Sequence, residues 1–382
     1  MREVLALFRL FFACPRRARR LVFYAEDAGY IPYLQGFLEE VLRNPGSQAC
    51  YITSDPSDPL LLSPPGRVRS FYLRHLLGFA ILFLDSKVIV MTMPDLHRYH
   101  IRRSVRGATH VYVFHAMVST HMVYTPSAFD HYDALFCVGP HQVSEIRKTE
   151  EKQKLAPKRI YEVGYPPLDR LMEAWRRRGA APPGARQGEG KGRVLIAPSW
   201  GRSNILESCV LDLARDLTRA GFPVTIRPHP EWIRRNPDGL RELRREIAAL
   251  ESSPPAQAQL DLGVLLDSTL MEADLLITDW SGIALEYAFG TERPVLYLDL
   301  PRKVRNPGYE GLGITPLEAQ IRRRLGKVVD ADEAGRIVPH VEELIRERAS
   351  YQEPIRRERV RTVYHPGESA RVGAQILLEL CR

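Results

Sequence analysis

Residues 275–299, LLITDWSGIALEYAFGTERPVLYLD, alternate in a way that few folds accommodate. Two short apolar runs, Leu275–Thr278 and Val295–Leu298, flank a polar turn and a helical stretch, Ile283–Phe289. Runs this short and this apolar read as strands of a parallel sheet covered on both faces. The turn, Asp279-Trp280-Ser281-Gly282, falls where the helix begins. A helix start presents unpaired N–H groups and the positive end of the helix dipole. The turn therefore either holds a phosphate or diphosphate, or simply caps the helix through Asp279 or Ser281.

The same alternation runs through the chain. Strands are expected at Leu21–Tyr24, Ala49–Thr53, Lys87–Thr92, Val111–Phe114, Ala134–Val138 and Arg159–Val163, with helices such as Ile31–Arg43 and Gln142–Glu150 between them. Arg176–Arg193, RRRGAAPPGARQGEGKGR, has no apolar period and reads as an exposed linker. Strands Val194–Ala197, Pro223–Arg227 and Val264–Leu266 follow, with helices Ile205–Ala220 and Leu240–Leu250 between them and a short helix after the third. Helical regions at Ala331–Arg348 and Ala370–Leu380 come last. At 382 residues the chain exceeds one typical domain. The expectation is α/β: two Rossmann-like, doubly wound parallel-sheet domains facing a cleft. Residues 1–175 form the first, 176–193 the linker, 194–345 the second, and 346–382 a helical region.

A hydrophobic fraction of 45% with 26% charged residues excludes wholesale disorder, and the net charge of +8 suits anionic partners. No aromatic-and-basic module of the RNA-binding kind appears, which argues against nucleic acid. The five cysteines are scattered without ligand spacing, so neither a zinc site nor a disulfide framework is expected, and a reducing cytoplasm fits. In MREVLALFRLFFACPRRARR the basic cluster follows the apolar run, the wrong order for a secretory signal. The run is also too short to span a bilayer. Residues 1–20 are then either an amphipathic helix resting on anionic lipid, with Arg16, Arg17, Arg19 and Arg20 as a basic collar, or an ordinary first helix packed on its own domain. Leu76–Leu84 reads as a buried helix leading into a core strand.

Three polar loops each follow an expected strand: Ala197-Pro198-Ser199-Trp200-Gly201, Arg227-Pro228-His229-Pro230 and Asp279-Trp280-Ser281-Gly282. Parallel strands bring all three to one sheet edge. The prolines stop the strand and stiffen the turn that carries His229. Its imidazole can hydrogen-bond a phosphate or protonate a leaving oxygen, with Arg227 complementing the negative charge; the alternative is that His229 caps nearby backbone. His115 ends the strand Val111–Phe114, where a neutral imidazole can take a proton from an attacking hydroxyl or serve as a buried structural histidine. His110 and His121 are expected to support it. The absence of GxxxxGK[ST], of GxGxxG after a strand and of GxSxG weighs against P-loop, dinucleotide-binding and hydrolase readings.

TDWSG with its helix and PVLYLD strand, RPHP and VLIAPSW resemble the C-terminal domain of the CDP-glycerol glycerophosphotransferases, a family that includes teichoic acid primases and polymerases and related capsule polymerases. Val163–Leu171, VGYPPLDRL, is similar to that family's segment before the linker, and His115 lies where the family has a strand-end histidine. The resemblance implies a GT-B fold. It implies transfer of glycerol phosphate, or a related polyol phosphate, from a CDP-activated donor to a hydroxyl of a cell-envelope glycan or lipid-linked acceptor, with release of CMP. No cofactor and no metal are implied. By position, His115 resembles the base and His229 the phosphate-facing histidine. Asp279, Ser281 and Gly282 line the diphosphate site, and Ser199 and Arg227 complete the substrate-binding set. The cysteine usage and the basic collar of residues 1–20 make the cytoplasm, peripheral on the inner face of the membrane, the expected location. Two departures stand out. The family's HGTP-L-K becomes His115-Ala116-Met117-Val118-Ser119, and its D-Y-S-S becomes Asp279-Trp280-Ser281-Gly282. The second, with Glu286 four residues after Gly282, is similar to GT-B enzymes that use UDP-sugars, including UDP-GlcNAc 2-epimerases, in which a glutamate there binds ribose or sugar hydroxyls. A UDP-sugar glycosyltransferase or epimerase and a non-catalytic nucleotide-binding scaffold are the alternative readings.

Overall fold

The computed structural model describes residues 2–98, 101–178, 191–201, 203–251, 257–263 and 267–382. The strand expected at Val264–Leu266 and residues 179–190 of the expected linker lie outside these. The chain forms two compact units: residues 1–169 with 305–314 and 361–382, and residues 170–304 with 315–360.

The first unit holds β1 (Leu21–Ala25), β2 (Ala49–Thr53), β3 (Val68–Tyr72), β4 (Val88–Met91), β5 (Thr109–Val113), β6 (Ala134–Cys137) and β7 (Arg159–Glu162). They form one parallel sheet in the order β3-β2-β1-β4-β5-β6-β7. Every residue of β1, β2, β4 and β6 is buried, which explains their unbroken apolar runs. Helix Ile31–Arg43 buries Leu34, Phe37, Leu38 and Val41 against this sheet. Helix Ser369–Leu380 packs on it in turn, and a Cβ at Gly373 would collide with the Phe37 ring. Asp169 anchors the start of that last helix by accepting from the backbone N–H groups of Gly367 at 2.7 Å and Ala370 at 3.1 Å.

The second unit holds β8 (Val194–Ile196), β9 (Val224–Ile226), β10 (Ala258–Leu260), β11 (Leu275–Thr278), β12 (Val295–Asp299) and β13 (Gly326–Asp330), all parallel, in the order β10-β9-β8-β11-β12-β13. The doubly wound expectation therefore holds in both units. Each strand order reverses once, between β1 and β4 and between β8 and β11. At such a point the loops leaving the carboxyl ends part to opposite faces and open a crevice for ligands.

The structure departs from the sequence reading in three respects. The edge strands β3, β10 and β13 were not expected. Ile205–Ala220 is two helices, Ile205–Ser208 and Val210–Arg219, broken at Cys209 (φ −143°, ψ 6°). Helix Leu77–Phe83 buries Leu77, Ala80 and Ile81 but turns Phe79 and Phe83 outward, so it is covered on one face and not all round.

Candidate active site

In the second unit, four strand-end loops are joined in a ring of contacts. The loop after β11 meets the loop after β8 through Asp279, which is 2% exposed. Its carboxylate accepts the Ser199 N–H at 2.7 Å and the Ile205 N–H at 3.1 Å. Asp279 thus receives the first N–H of the helix after β8, whose N-cap is Asn204, and does not cap the helix that follows it in sequence. The N-cap of that following helix, Ile283–Thr291, is Gly282, which has no side chain to cap with. The N–H groups of Ala284 and Leu285 donate to Ser281 O at 3.3 Å and Gly282 O at 3.0 Å, so the turn itself takes up part of this helix start. The loop after β9 meets the loop after β8 where the rings of His229 and Trp200 lie 6.0 Å apart. The loop after β12 closes the ring. Leu300 O accepts the Trp280 indole N–H at 2.7 Å, and Lys303 Nζ stands 4.4 Å over the Trp200 ring.

His229 is half-buried and N-caps helix Pro230–Arg235, its Nδ1 accepting the Glu231 N–H at 3.1 Å. That bond fixes the tautomer: neutral His229 carries its proton on Nε2 and presents a donor. The capping alternative is therefore met. Arg235, 4.8 Å over Trp200, and Arg302, 5.5 Å over Trp280, add positive charge. Ser281, Gly282 and Glu286 are half-buried at the start of helix Ile283–Thr291. Arg227 stands apart from this group. Its guanidinium pairs with the Asp261 carboxylate and donates to Gly263 O at 2.6 Å, in the loop after β10. Burial pushes the Asp261 carboxyl up, but Thr269, the Gly263 N–H and Arg227 outweigh it and hold it below the usual carboxylate range.

In the first unit, His115 is half-buried at the end of β5 inside a shell of tyrosines. The rings of Tyr30 and Tyr33 each lie 6.0 Å away and that of Tyr124 lies 5.9 Å away. The Tyr112 hydroxyl is 3.5 Å from Nδ1, and the Tyr165 hydroxyl donates to His115 O at 3.3 Å. The neighbouring histidines are structural. Buried His110 lies 3.7 Å from Asp133, and the nearly buried His121 stands between Glu145 at 3.2 Å and Ile314 O at 3.0 Å. Burial pushes the Glu145 carboxyl up, but hydrogen bonds from His121 and Thr120 bring it below its ordinary value.

Sequence reasoning missed Arg302 and Lys303, although Pro301-Arg302-Lys303 follows β12 just as the other loops follow their strands. It also missed the tyrosine shell, whose members are spread from residue 30 to residue 165 and show no local pattern.

Residues 38–300 match the model of the family described as CDP-glycerol:poly(glycerophosphate) glycerophosphotransferase. The chain belongs to this family and is a glycerophosphotransferase-like enzyme. Among solved structures it is similar to the wall teichoic acid polymerase TagF, at 12% identity and a TM-score of 0.62, covering 95% of this chain and 89% of that one. A TagF variant soaked with CDPG matches at 14% identity and a TM-score of 0.61, with the same coverage. UDP-GlcNAc 2-epimerase from Methanocaldococcus jannaschii, in complex with UDP-GlcNAc and UDP, matches at 14% identity and a TM-score of 0.57, over 94% of this chain and 99% of that one. At these identities the likeness concerns the GT-B fold. No curated protein sequence matches.

Proposed function

We propose that the chain transfers glycerol phosphate from CDP-glycerol to a hydroxyl of a cell-envelope glycan or lipid-linked acceptor, releasing CMP. The observation that carries this reading is the ring of loops in the second unit. It combines an N–H donor on His229 Nε2, a helix start without a side-chain cap, and the cations Lys303 and Arg302. These are the groups a diphosphate needs. Phosphoryl transfer with a loose transition state calls for alignment and charge stabilisation more than for covalent help.

In this reading the acceptor oxygen bonds to the β-phosphorus while the bond from that phosphorus to the bridging oxygen breaks. CMP leaves with the bridging oxygen, and the acceptor proton goes to His115. For Nε2 of His115 to accept that proton, Nδ1 must carry the ring hydrogen and donate it to the Tyr112 hydroxyl. His229 Nε2–H stabilises negative charge on the leaving phosphate. Asp279 holds Ser199 and the loops in place, and Ser281 and Gly282 offer their backbone to the diphosphate. Glu286 meets the donor's hydroxyls, and Arg227 positions its loop through Asp261. The test follows CMP release from CDP-glycerol with His115→Ala and His229→Asn. Asparagine keeps the N-cap, so the second variant stays folded. Each should lose at least about 100-fold in kcat; full activity in both would sink the mechanism.

Glu286 and Gly282 favour a second reading, a UDP-sugar donor. Thermal shift with a nucleotide panel separates the two, because a ligand raises Tm by binding the native state. Stabilisation by UDP over CDP and CMP would replace the first reading with the second.

We also infer peripheral docking on anionic lipid. Phe8 and Phe12, 58% and 77% exposed, lie on the helical segment Arg2–Ala13. Phe79, 53% exposed, adjoins Phe11 at 6.3 Å, so helix Leu77–Phe83 extends the same apolar surface. Arg16 and Arg17 are exposed beside it, while Arg19 and Arg20 bond backbone carbonyls. Apolar area next to basic side chains suits a negatively charged bilayer surface. Among the described residues no helix is long and apolar enough to cross a membrane. Co-sedimentation with anionic vesicles should fall sharply in a Phe8→Ser, Phe12→Ser, Phe79→Ser variant; an unchanged bound fraction rules this docking out.

A further inference from the structure

A buried arginine stands behind the strand-end loops of the second unit. Arg322 lies on helix Leu317–Leu325, is 5% exposed, and reaches the end of β12. Its Nη1 pairs with Asp299 Oδ1 at 2.6 Å, and its Nη2 donates to Leu298 O at 3.1 Å. The same guanidinium lies 4.2 Å from the centroid of the Trp280 ring and 5.1 Å from that of Tyr297. Trp280 in turn donates its indole N–H to Leu300 O at 2.7 Å. One planar cation and one indole therefore grip three consecutive residues, Leu298, Asp299 and Leu300, and tie them to the turn Trp280-Ser281-Gly282.

Burying a charge is costly unless it is fully paired and hydrogen-bonded. The pairing of Arg322 is incomplete. Asp299 is exposed, so water screens its charge more than that of the arginine. The Nε of Arg322 is buried and has no acceptor among the described residues. Well-packed apolar side chains in such a place often stabilise a fold as much or more. Fold stability alone thus gives no reason for a cation behind Trp280. Geometry gives one. A rigid fork fixes two acceptors while its face packs on a ring, and an ammonium on a flexible stem cannot do both. What the fork fixes is the frame of the proposed diphosphate site: Ser281 and Gly282 follow Trp280, and Arg302 and Lys303 follow Leu300.

We propose that Arg322 is a positioning residue for the donor's diphosphate. It acts through Trp280 and the end of β12, holding the Ser281-Gly282 turn and the Arg302-Lys303 loop against each other. The proposal rests on the transferase reading above.

The full chain is tested with Arg322→Lys and Arg322→Ala, by CMP release from CDP-glycerol with an alkyl-linked disaccharide as acceptor. The lysine variant keeps the charge and loses the fork. Its KM for CDP-glycerol should rise about ten-fold while KM for the acceptor stays within about two-fold, a split that partial unfolding would not give. The alanine variant leaves a space of guanidinium size. Millimolar guanidinium, and not the same concentration of sodium, should therefore recover most of its lost kcat/KM. Should the alanine variant not fold, the lysine variant alone decides. A lysine variant whose KM for CDP-glycerol lies within about two-fold of wild type overturns this inference and leaves the transferase reading standing. Wild-type protein that releases no CMP, although CDP-glycerol raises its Tm, overturns the transferase reading. The Tm rise then decides the positioning role, which stands if Arg322→Lys loses most of that rise and falls if it keeps it. No Tm rise in the wild type overturns both.

Discussion

Removing the Asp279 carboxylate should loosen the second unit far more than a surface change would. Asp279 is buried and receives two backbone N–H groups, from Ser199 and Ile205. Hydrogen bonds to a charged group contribute about 1.5–3 kcal/mol each, and an orphaned buried N–H costs about 1–3 kcal/mol. Asp279→Ala deletes both bonds and orphans both donors, so a loss of about 3–6 kcal/mol is expected. Against a typical stability of about 5–15 kcal/mol, that is a large share. Asp279→Asn keeps one acceptor oxygen but turns an N–H₂ donor toward the other N–H, so about half the loss should remain. Urea unfolding followed by tryptophan fluorescence reads this cleanly, because all four tryptophans, Trp175, Trp200, Trp232 and Trp280, lie in the second unit. With a slope of about 2 kcal/mol/M, the alanine variant's midpoint should fall by about 1.5–3 M. If the midpoint moves by less than about 0.3 M while CDP-glycerol binding disappears, the carboxylate acts on the substrate and not on its own loops.

Lys303→Ala should raise KM for CDP-glycerol by about ten-fold through loss of one charge-assisted phosphate contact, measured by initial rates of CMP release. Gly164→Ala should cost about 3 kcal/mol or more: φ is +97° there, and a Cβ would collide with Tyr364 O and the Ser369 hydroxyl, so amide hydrogen exchange in helix Ser369–Leu380 should accelerate. Burial pushes the Asp133 carboxyl up, but His110 and Arg103 outweigh it and hold it at about 2. Its native value lies below its unfolded one, so its stabilisation is present above about pH 4 and is lost as pH falls toward 2. Asp133 is half-exposed, which limits the effect to about 1 kcal/mol; near-UV tyrosine dichroism should show Asp133→Asn to be flatter across that window.

Much of the fold was legible because central parallel strands are apolar on both faces. Ala49–Thr53 and Leu275–Thr278 stand where their sequences placed them, to the residue. The strands that escaped notice, β3, β10 and β13, are all edge strands. An edge strand needs cover on fewer sides, so VRSFY buries only Val68 and Phe71 and loses the continuous apolar run that signals a strand. The strand-end loops were legible for the same reason as the central strands, since each begins where an apolar run stops. What Asp279 does was not. Whether a carboxylate after a strand meets a ligand or a neighbouring loop depends on which strand lies beside it, and Ser199, in the loop after β8, lies 80 residues from Asp279 in sequence. The shell around His115 is hidden similarly, because its tyrosines converge from separate strands and helices.

Helix Ser369–Leu380 packs on helix Ile31–Arg43, and the residues between them include the whole of the second unit. On a ribosome adding about 5–20 residues per second, the earlier helix emerges roughly 15–70 seconds before the later one that covers it. Through that interval the surface around Gly36 and Phe37 waits uncovered while another sheet is made and folded. The order of synthesis and the order of completion therefore run opposite ways. The unit that starts first finishes last, its own framework complete only after that of the second unit is already in place.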